Sequence, residues 1–259
     1  MSTATYLYCL VHTPKAPSLA KVPAGLPGTS APRALPAGRG LWLVAADAPL
    51  DLYGEKPIEA GLHDLAWVSA RAMPHEAVVE HLSRKGTVVP MKLFTLFNSD
   101  ERALEHVARD RKRIDRIVTR LAGREEWGVR LTLDEINALR RARDEAAQSA
   151  PKGATGSAFL LRKKKEQDAA RELLDHARER ADELFEELAK KAAEARRRPP
   201  PPGEAGKRVL LDAAFLLPRA KLKPFQALVK SRGADLAKLG YELEITGPWP
   251  PYNFVGDAA

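Results

Sequence analysis

The sequence predicts a mixed α/β (α+β) protein made of two ferredoxin-like sheet-and-helix domains, the second carrying a long helical hairpin insertion. Two observations predict the paired domains. The order strand, interruption, strand, helix, strand occurs over residues 6–97 and again over residues 127–246. The interruption is a proline-rich loop in the first half and a helical stretch in the second. A third observation predicts the hairpin: Leu174, Ala177, Ala181, Leu184 and Leu188 recur at alternating spacings of three and four, the seam of a packed helix. On this reading the N-terminal domain is 1–123. The C-terminal domain is 124–259, with the hairpin at about 134–197 and a proline- and aromatic-rich tail at its end.

The first strand is Tyr6 to Val11, rich in the aromatic and β-branched residues that suit a pleated surface. Pro14, Pro17, Pro23, Pro27, Pro32 and Pro36 exclude a helix or a central strand from the loop between Thr13 and Gly40. Leu41-Trp42-Leu43-Val44 then gives an apolar strand covered on both faces. Pro74 is read as opening a short helix that Gly86 ends, and a third strand as running from Thr87 to Phe97. Ser99 caps a further helix, whose Leu104, Val107, Ile114, Val118 and Leu121 share one face and which Gly123 closes.

The second half opens on Trp127 to Leu133, where apolar and polar residues alternate with period two. Asp134 caps a helix running to about Gln148, and the turn at Pro151-Lys152-Gly153 leads to a helix from about Thr155 to Arg197. Pro199 to Pro202 is a stiff spacer. A strand (Arg208 to Leu217), a helix (Lys221 to Leu239) and a last strand (Tyr241 to Thr246) complete the pattern.

Composition narrows the function. The single cysteine, Cys9, excludes an intrachain disulfide; it fits a core position in a reducing cytosol. No basic stretch precedes the first apolar run as in a signal peptide, and no apolar stretch reaches the roughly 18 residues of a membrane span. The expected location is therefore the cytoplasm. A net charge of +8 raises nucleic acid as a partner. The charge is nonetheless dispersed among acids on helical faces, with dense basic runs at Lys163-Lys164-Lys165 and Arg196-Arg197-Arg198.

Signs of catalysis are absent. His12, His63, His75, His81, His106 and His176 include no pair at the spacing of a helical zinc site. No glycine-rich phosphate loop and no Gly-x-Ser-x-Gly elbow occurs. Adjacent carboxylates such as Glu125 with Glu126 point apart and do not make an acid–base pair. The reading is a non-enzyme with no catalytic residues, no cofactor and no metal.

The most informative stretch is the end, Gly247-Pro248-Trp249-Pro250-Pro251-Tyr252-Asn253-Phe254. Its prolines forbid helix and remove ladder donors, so the tail leaves the sheet in a stiff extended form. Three large aromatics left in water would be costly. The tail therefore either folds back onto its own domain or docks into a partner, and the two are compatible.

This ending resembles the C-terminal signature of the gas vesicle GvpL/GvpF family. Gly86-Thr87-Val88-Val89-Pro90, Glu126-Trp127-Gly128-Val129-Arg130, Ala158-Phe159-Leu160-Leu161-Arg162-Lys163 and Asp212-Ala213-Ala214-Phe215-Leu216-Leu217 are similar to segments of that family, in the same order along the chain. Lys92 and Phe94-Thr95 depart from it: the family commonly has arginine and Phe-Gly-Thr there, so a backbone contact that the glycine permits is expected to differ.

The resemblance implies a minor structural component or assembly factor of gas vesicles. Its partners would be the hydrophobic shell protein and other gas vesicle accessory proteins; self-association is compatible with this, and no membrane is involved. The partner-binding residues so expected are Pro248, Trp249, Pro250, Pro251, Tyr252, Asn253, Phe254, Trp127 and Arg162. The alternatives are a basic nucleic-acid-associated protein and a small-molecule-binding regulator.

Overall fold

The apolar run near the N-terminus becomes the central strand of a sheet. The computed structural model describes residues 2–148, 156–201 and 204–256, with the side chains of 156–159 and of Arg162 outside that description. It divides into two compact units, Met1–Glu125 together with Trp249–Ala259, and Glu126–Pro248.

In the first unit β1 (Thr3–His12) is buried from Ala4 to Val11. β3 (Leu41–Pro49) pairs antiparallel with one side of β1, and β4 (Thr87–Pro90) with the other. β2 (Arg33–Pro36) joins the outer edge of β3, and β5 (Leu96–Phe97) adds a short second pairing to β1. Prolines keep the 13–40 loop out of the sheet's centre, as the sequence requires, yet the loop is fastened to the core. The Leu26 amide donates to the Tyr8 hydroxyl at 3.0 Å, and the Tyr53 hydroxyl donates to the Pro27 carbonyl at 2.6 Å. A Cβ at Gly25 would lie 1.8 Å from the Tyr8 oxygen, so that approach requires glycine.

Between β3 and β4 lie α1 (Leu50–Tyr53), α2 (Glu55–Gly61) and α3 (Leu65–Ser83). This corrects the expectation that Pro74 opens a short helix: α3 starts at Leu65, and Pro74 lies inside it. The true N-cap is Asp64, which accepts from the amides of Ala66 and Trp67 at 2.8 and 3.3 Å. The first half of α3 escaped the sequence pattern because its outward residues Leu65, Ala66, Ala70 and Met73 are apolar but exposed, leaving no contrast between faces.

The expected strand Thr87–Phe97 is also interrupted. After β4 the chain turns through Phe94, whose φ of +63 lies in the left-handed region that favours glycine. Here a phenylalanine takes that conformation, at a cost of about 1–2 kcal/mol, and its ring packs on Trp67 with centroids 5.4 Å apart. The helix expected from Ser99 to Gly123 is two helices, α4 (Asp100–Arg109) and α5 (Arg111–Leu121), broken at Asp110 (φ −89, ψ 9).

In the second unit β6 (Arg124–Asp134) is central, and the order is β7 (Glu194–Arg197), β8 (Lys207–Pro218), β6, β9 (Tyr241–Trp249). Each sheet thus places its first strand between the next long strand and the last, with a short hairpin strand on the outer edge: β2-β3-β1-β4 and β7-β8-β6-β9. α6 (Glu135–Gln148) packs along α7 (Gly156–Ala189), and α8 (Leu222–Ala237) links β8 to β9. Ala177, Ala181, Leu184 and Leu188 of α7 are buried against Phe215, Phe225 and Val129 in one core.

Two boundaries here differ from the sequence reading. α7 ends at Ala189, and Glu194–Arg197, expected as helix, is β7 paired with Ala213–Leu216. No glycine or proline marks that change; it is held by Arg197, which bonds Asp182 at 2.7 Å and stacks on Phe185. The tail, expected to belong to the second domain, belongs from Trp249 onward to the first unit.

Replacing Pro74 with alanine restores an N–H inside α3. Pro74→Ala is expected to raise unfolding stability by about 1–3 kcal/mol, read as a higher urea midpoint with an unchanged m-value.

Candidate functional site

The tail reaches its place through a chain of specific contacts. Gly247, at a φ of +130, lies over the first residues of β6; a Cβ there would be 3.0 Å from the Glu126 carbonyl oxygen and 3.2 Å from the Trp127 ring. Trp127 is accordingly buried, 8% exposed, in the core of the second unit. Its position makes it a support for the turn at Gly247, away from solvent.

Beyond Pro248 the chain enters the first unit. Pro250 is buried, and Tyr252–Phe254 forms a single tight turn in which the Tyr252 amide donates to the Pro250 carbonyl at 2.8 Å and the Phe254 amide to that of Pro251 at 3.0 Å. Phe254 is fully buried. The Arg120 guanidinium, on α5, donates to the carbonyls of Phe254 and Gly256, and Arg124 in turn donates to the Arg120 carbonyl. A charged donor on a backbone carbonyl is about twice as strong as a neutral one, so Arg120 is a strong polar fastening of the tail.

Tyr252 turns its hydroxyl into a buried position near Glu76 of α3. The oxygen meets no partner at full hydrogen-bond geometry, but it is close enough for the two groups to perturb each other. Burial lifts the Glu76 carboxyl above its usual range, partly offset by that hydroxyl, and burial likewise raises the Tyr252 phenol. On the same helix His75 is 3% exposed. Its Nε2 faces the Met91 carbonyl at 3.2 Å and its Nδ1 the Tyr6 hydroxyl at 2.6 Å. The carbonyl can only accept, so Nε2 carries the proton and Nδ1 accepts from Tyr6. Burial lowers the His75 pKa to about 4, holding the ring neutral.

The expected binding residues therefore separate. Pro250 and Phe254 are interior, while Pro251, Tyr252 and Asn253 are half-buried. Pro248 is exposed, and Trp249, 44% exposed, is the large aromatic of the tail that faces water. Arg162 lies in α7 with its side chain outside the described residues. Sequence reasoning missed Arg120, Glu76 and His75. Arg120 is one of many arginines on helical faces, and only the tail's carbonyls distinguish it.

The basic runs also separate. Lys163, Lys164 and Lys165 are exposed on α7. Arg197 is engaged by Asp182, and Arg198 bonds the 7%-exposed side chain of Asp212 at 2.7 Å. Among the described residues no group of three or more His, Cys, Asp or Glu side chains could hold a metal ion, and no helix is long and apolar enough to cross a membrane.

The fold and the inserted tail define a class: a two-sheet α/β protein in which the end of the chain completes the first unit. The family model for gas vesicle synthesis protein GvpL/GvpF matches residues 4–256. Gas vesicle protein L of a Streptomyces species is 33% identical over 239 residues, spanning 89% of this chain and 85% of that protein. Gas vesicle protein L1 of Halobacterium salinarum is 25% identical over 278 residues, spanning 99% and 92%. The crystal structure of GvpF from an Anabaena species shares the fold with a TM-score of 0.73 at 18% identity over the whole of both chains. That of GvpF from Microcystis aeruginosa gives 0.66 at 15% identity, over 98% of this chain and 99% of that one. The chain belongs to the GvpL/GvpF family of gas vesicle proteins.

This geometry has two measurable outcomes. A methyl group at Gly247 forces a backbone conformation rarely open to other residues, so Gly247→Ala is expected to cost on the order of 1–3 kcal/mol in urea unfolding. An unfolded chain protonates its histidine near pH 6.5 whereas folded His75 resists to about 4. The stabilisation is thus present above about pH 6.5 and lost as pH falls toward 4, up to roughly 3 kcal/mol in all. Glu76, with a raised pKa, acts in the opposite sense at the acid end. Unfolding midpoints measured from pH 7 to 4 should fall for the natural chain and flatten for His75→Gln.

Proposed function

We propose that the protein is a non-catalytic accessory component of gas vesicle assembly that works in the cytoplasm and binds the vesicle shell protein and other gas vesicle proteins. The observation that carries this reading is the family match over residues 4–256. A shell subunit awaiting assembly exposes apolar surface that would otherwise aggregate, and a folded protein that covers such surface needs apolar groups of its own at its exterior. Trp249 is one: the buried Phe254 and the prolines around it fix its backbone, so little order is lost when the indole is covered. Tryptophan held in this way is a common anchor of protein interfaces.

The alternative of a nucleic-acid-associated protein is weakened at the Arg196–Arg198 run, because the Arg197 and Arg198 side chains already have carboxylate partners. It predicts binding that weakens steeply with salt.

The test is capture of the shell protein and neighbouring accessory proteins from the same organism on the purified chain, at low and high salt. Salt-tolerant capture is expected, and Trp249→Ala should weaken it by about 2 kcal/mol, roughly thirtyfold, with the unfolding midpoint retained. Capture of nucleic acid alone, lost as salt rises, would contradict the proposal.

A further inference from the structure

The second sheet ends in an unpaired edge. β9 is the last strand in the order β7-β8-β6-β9, and among the described residues no strand pairs its outer side. The Asp134 amide donates to the Gly240 carbonyl at 3.2 Å, which fixes the side of the chain that faces β6. Backbone groups alternate sides along a strand, so the N–H and C=O groups of Tyr241, Leu243 and Ile245 turn outward. No proline interrupts the strand before Pro248. Proteins usually blunt such an edge, because it is a template for another strand.

Beside this edge lies a groove of about 590 Å³ between α8 and β9. Its floor is apolar: Val229 from the helix, and Tyr241, Leu243 and Ile245 from the strand. Gly233 of α8 stands over Leu243, where a Cβ would make ordinary contact at 3.7 Å. Alanine would therefore fit there, and glycine inside a helix is destabilising relative to alanine. What glycine provides is width. Lys230 lies exposed at the groove with no acidic partner within ion-pair distance among the described residues; Glu242, which also lines the groove, is bonded by Lys207 at 3.2 Å, and Glu244 is exposed.

An outward-facing row of strand donors and acceptors, flanked by an apolar groove under a helix, is the arrangement by which a sheet takes up an extended peptide. We infer that β9 and α8 bind an extended segment of a partner protein as an additional strand. The segment carries aliphatic side chains at alternate positions facing the groove, with a carboxylate among them for Lys230, and a basic residue on the opposite face toward Glu244. The inference stands whether or not the tail docks.

The test uses the full chain and a fluorescent, acetylated and amidated octapeptide in which Val-Glu-Val alternates with lysine and threonine. Saturable binding is expected by anisotropy, with new amide protection at Leu243 and Ile245 in hydrogen exchange. Methylating the peptide nitrogens on its pairing edge removes backbone donors and should weaken binding at least about tenfold. Gly233→Leu should do the same. Gly233→Ala should weaken binding less while raising the unfolding midpoint, which separates a narrowed groove from a damaged fold. Absence of saturable binding would overturn the inference, as would binding indifferent to N-methylation. So would a dimer in sedimentation equilibrium that Gly233→Leu abolishes, since the edge would then serve a second copy of this chain.

Discussion

The insertion of Phe254 into the first unit, with Arg120 gripping the carbonyls on either side of the next residue, is the contact on which the organisation of the chain depends. A terminal segment ordinarily frays, because ordering it costs conformational entropy at every residue. Here Pro248, Pro250 and Pro251 restrict the free chain in advance, which lowers that cost. A fully buried aromatic ring contributes some of the largest apolar burial available to a single residue. The guanidinium supplies charged donors to the part-buried carbonyls of Phe254 and Gly256. The stretch from Gly247 to Phe254 is thus structural at both ends, with an exposed Trp249 between them.

The repeated sheet order places this contact in context. Both units put the first long strand in the centre and attach a short hairpin strand outside the second. They differ in the segment inserted after the first strand: a loop pinned by the Tyr8 and Tyr53 hydroxyls in one, and the long pair α6 and α7 in the other. A common frame with different insertions lets each unit present its own surface without altering its core.

Much of this was legible in the sequence wherever burial imposes a pattern. The apolar runs at Tyr6–Val11 and Leu41–Val44 became buried strands, the alternation at Trp127–Leu133 became β6, and the spaced leucines and alanines of 174–188 became the buried seam of α7. Legibility failed where tertiary contacts decide. The apolar residues at the start of α3 are exposed, so they carry no helical contrast, and the boundary role that Pro74 suggests is filled by Asp64. β7 is held by Arg197 against Asp182 and Phe185, a contact invisible to local pattern. The tail motif was conspicuous, but its destination depended on Arg120, which sequence does not distinguish from its neighbours. Phe94 is the instructive case: nothing local in the sequence announces a left-handed backbone at a phenylalanine, and the ring of Trp67 that it packs against is far along the chain.

Native-state hydrogen exchange on the full chain carrying Phe254→Ala tests the central claim most directly, since it reports on each unit separately. If the tail is an integral part of the first unit, amides in α5, beside Arg120, and in α3, beside Tyr252, lose protection together, while those of β6 and β8 keep theirs. Unchanged protection in α3 and α5, or equal loss in both units, would contradict the assignment of the tail to the first unit.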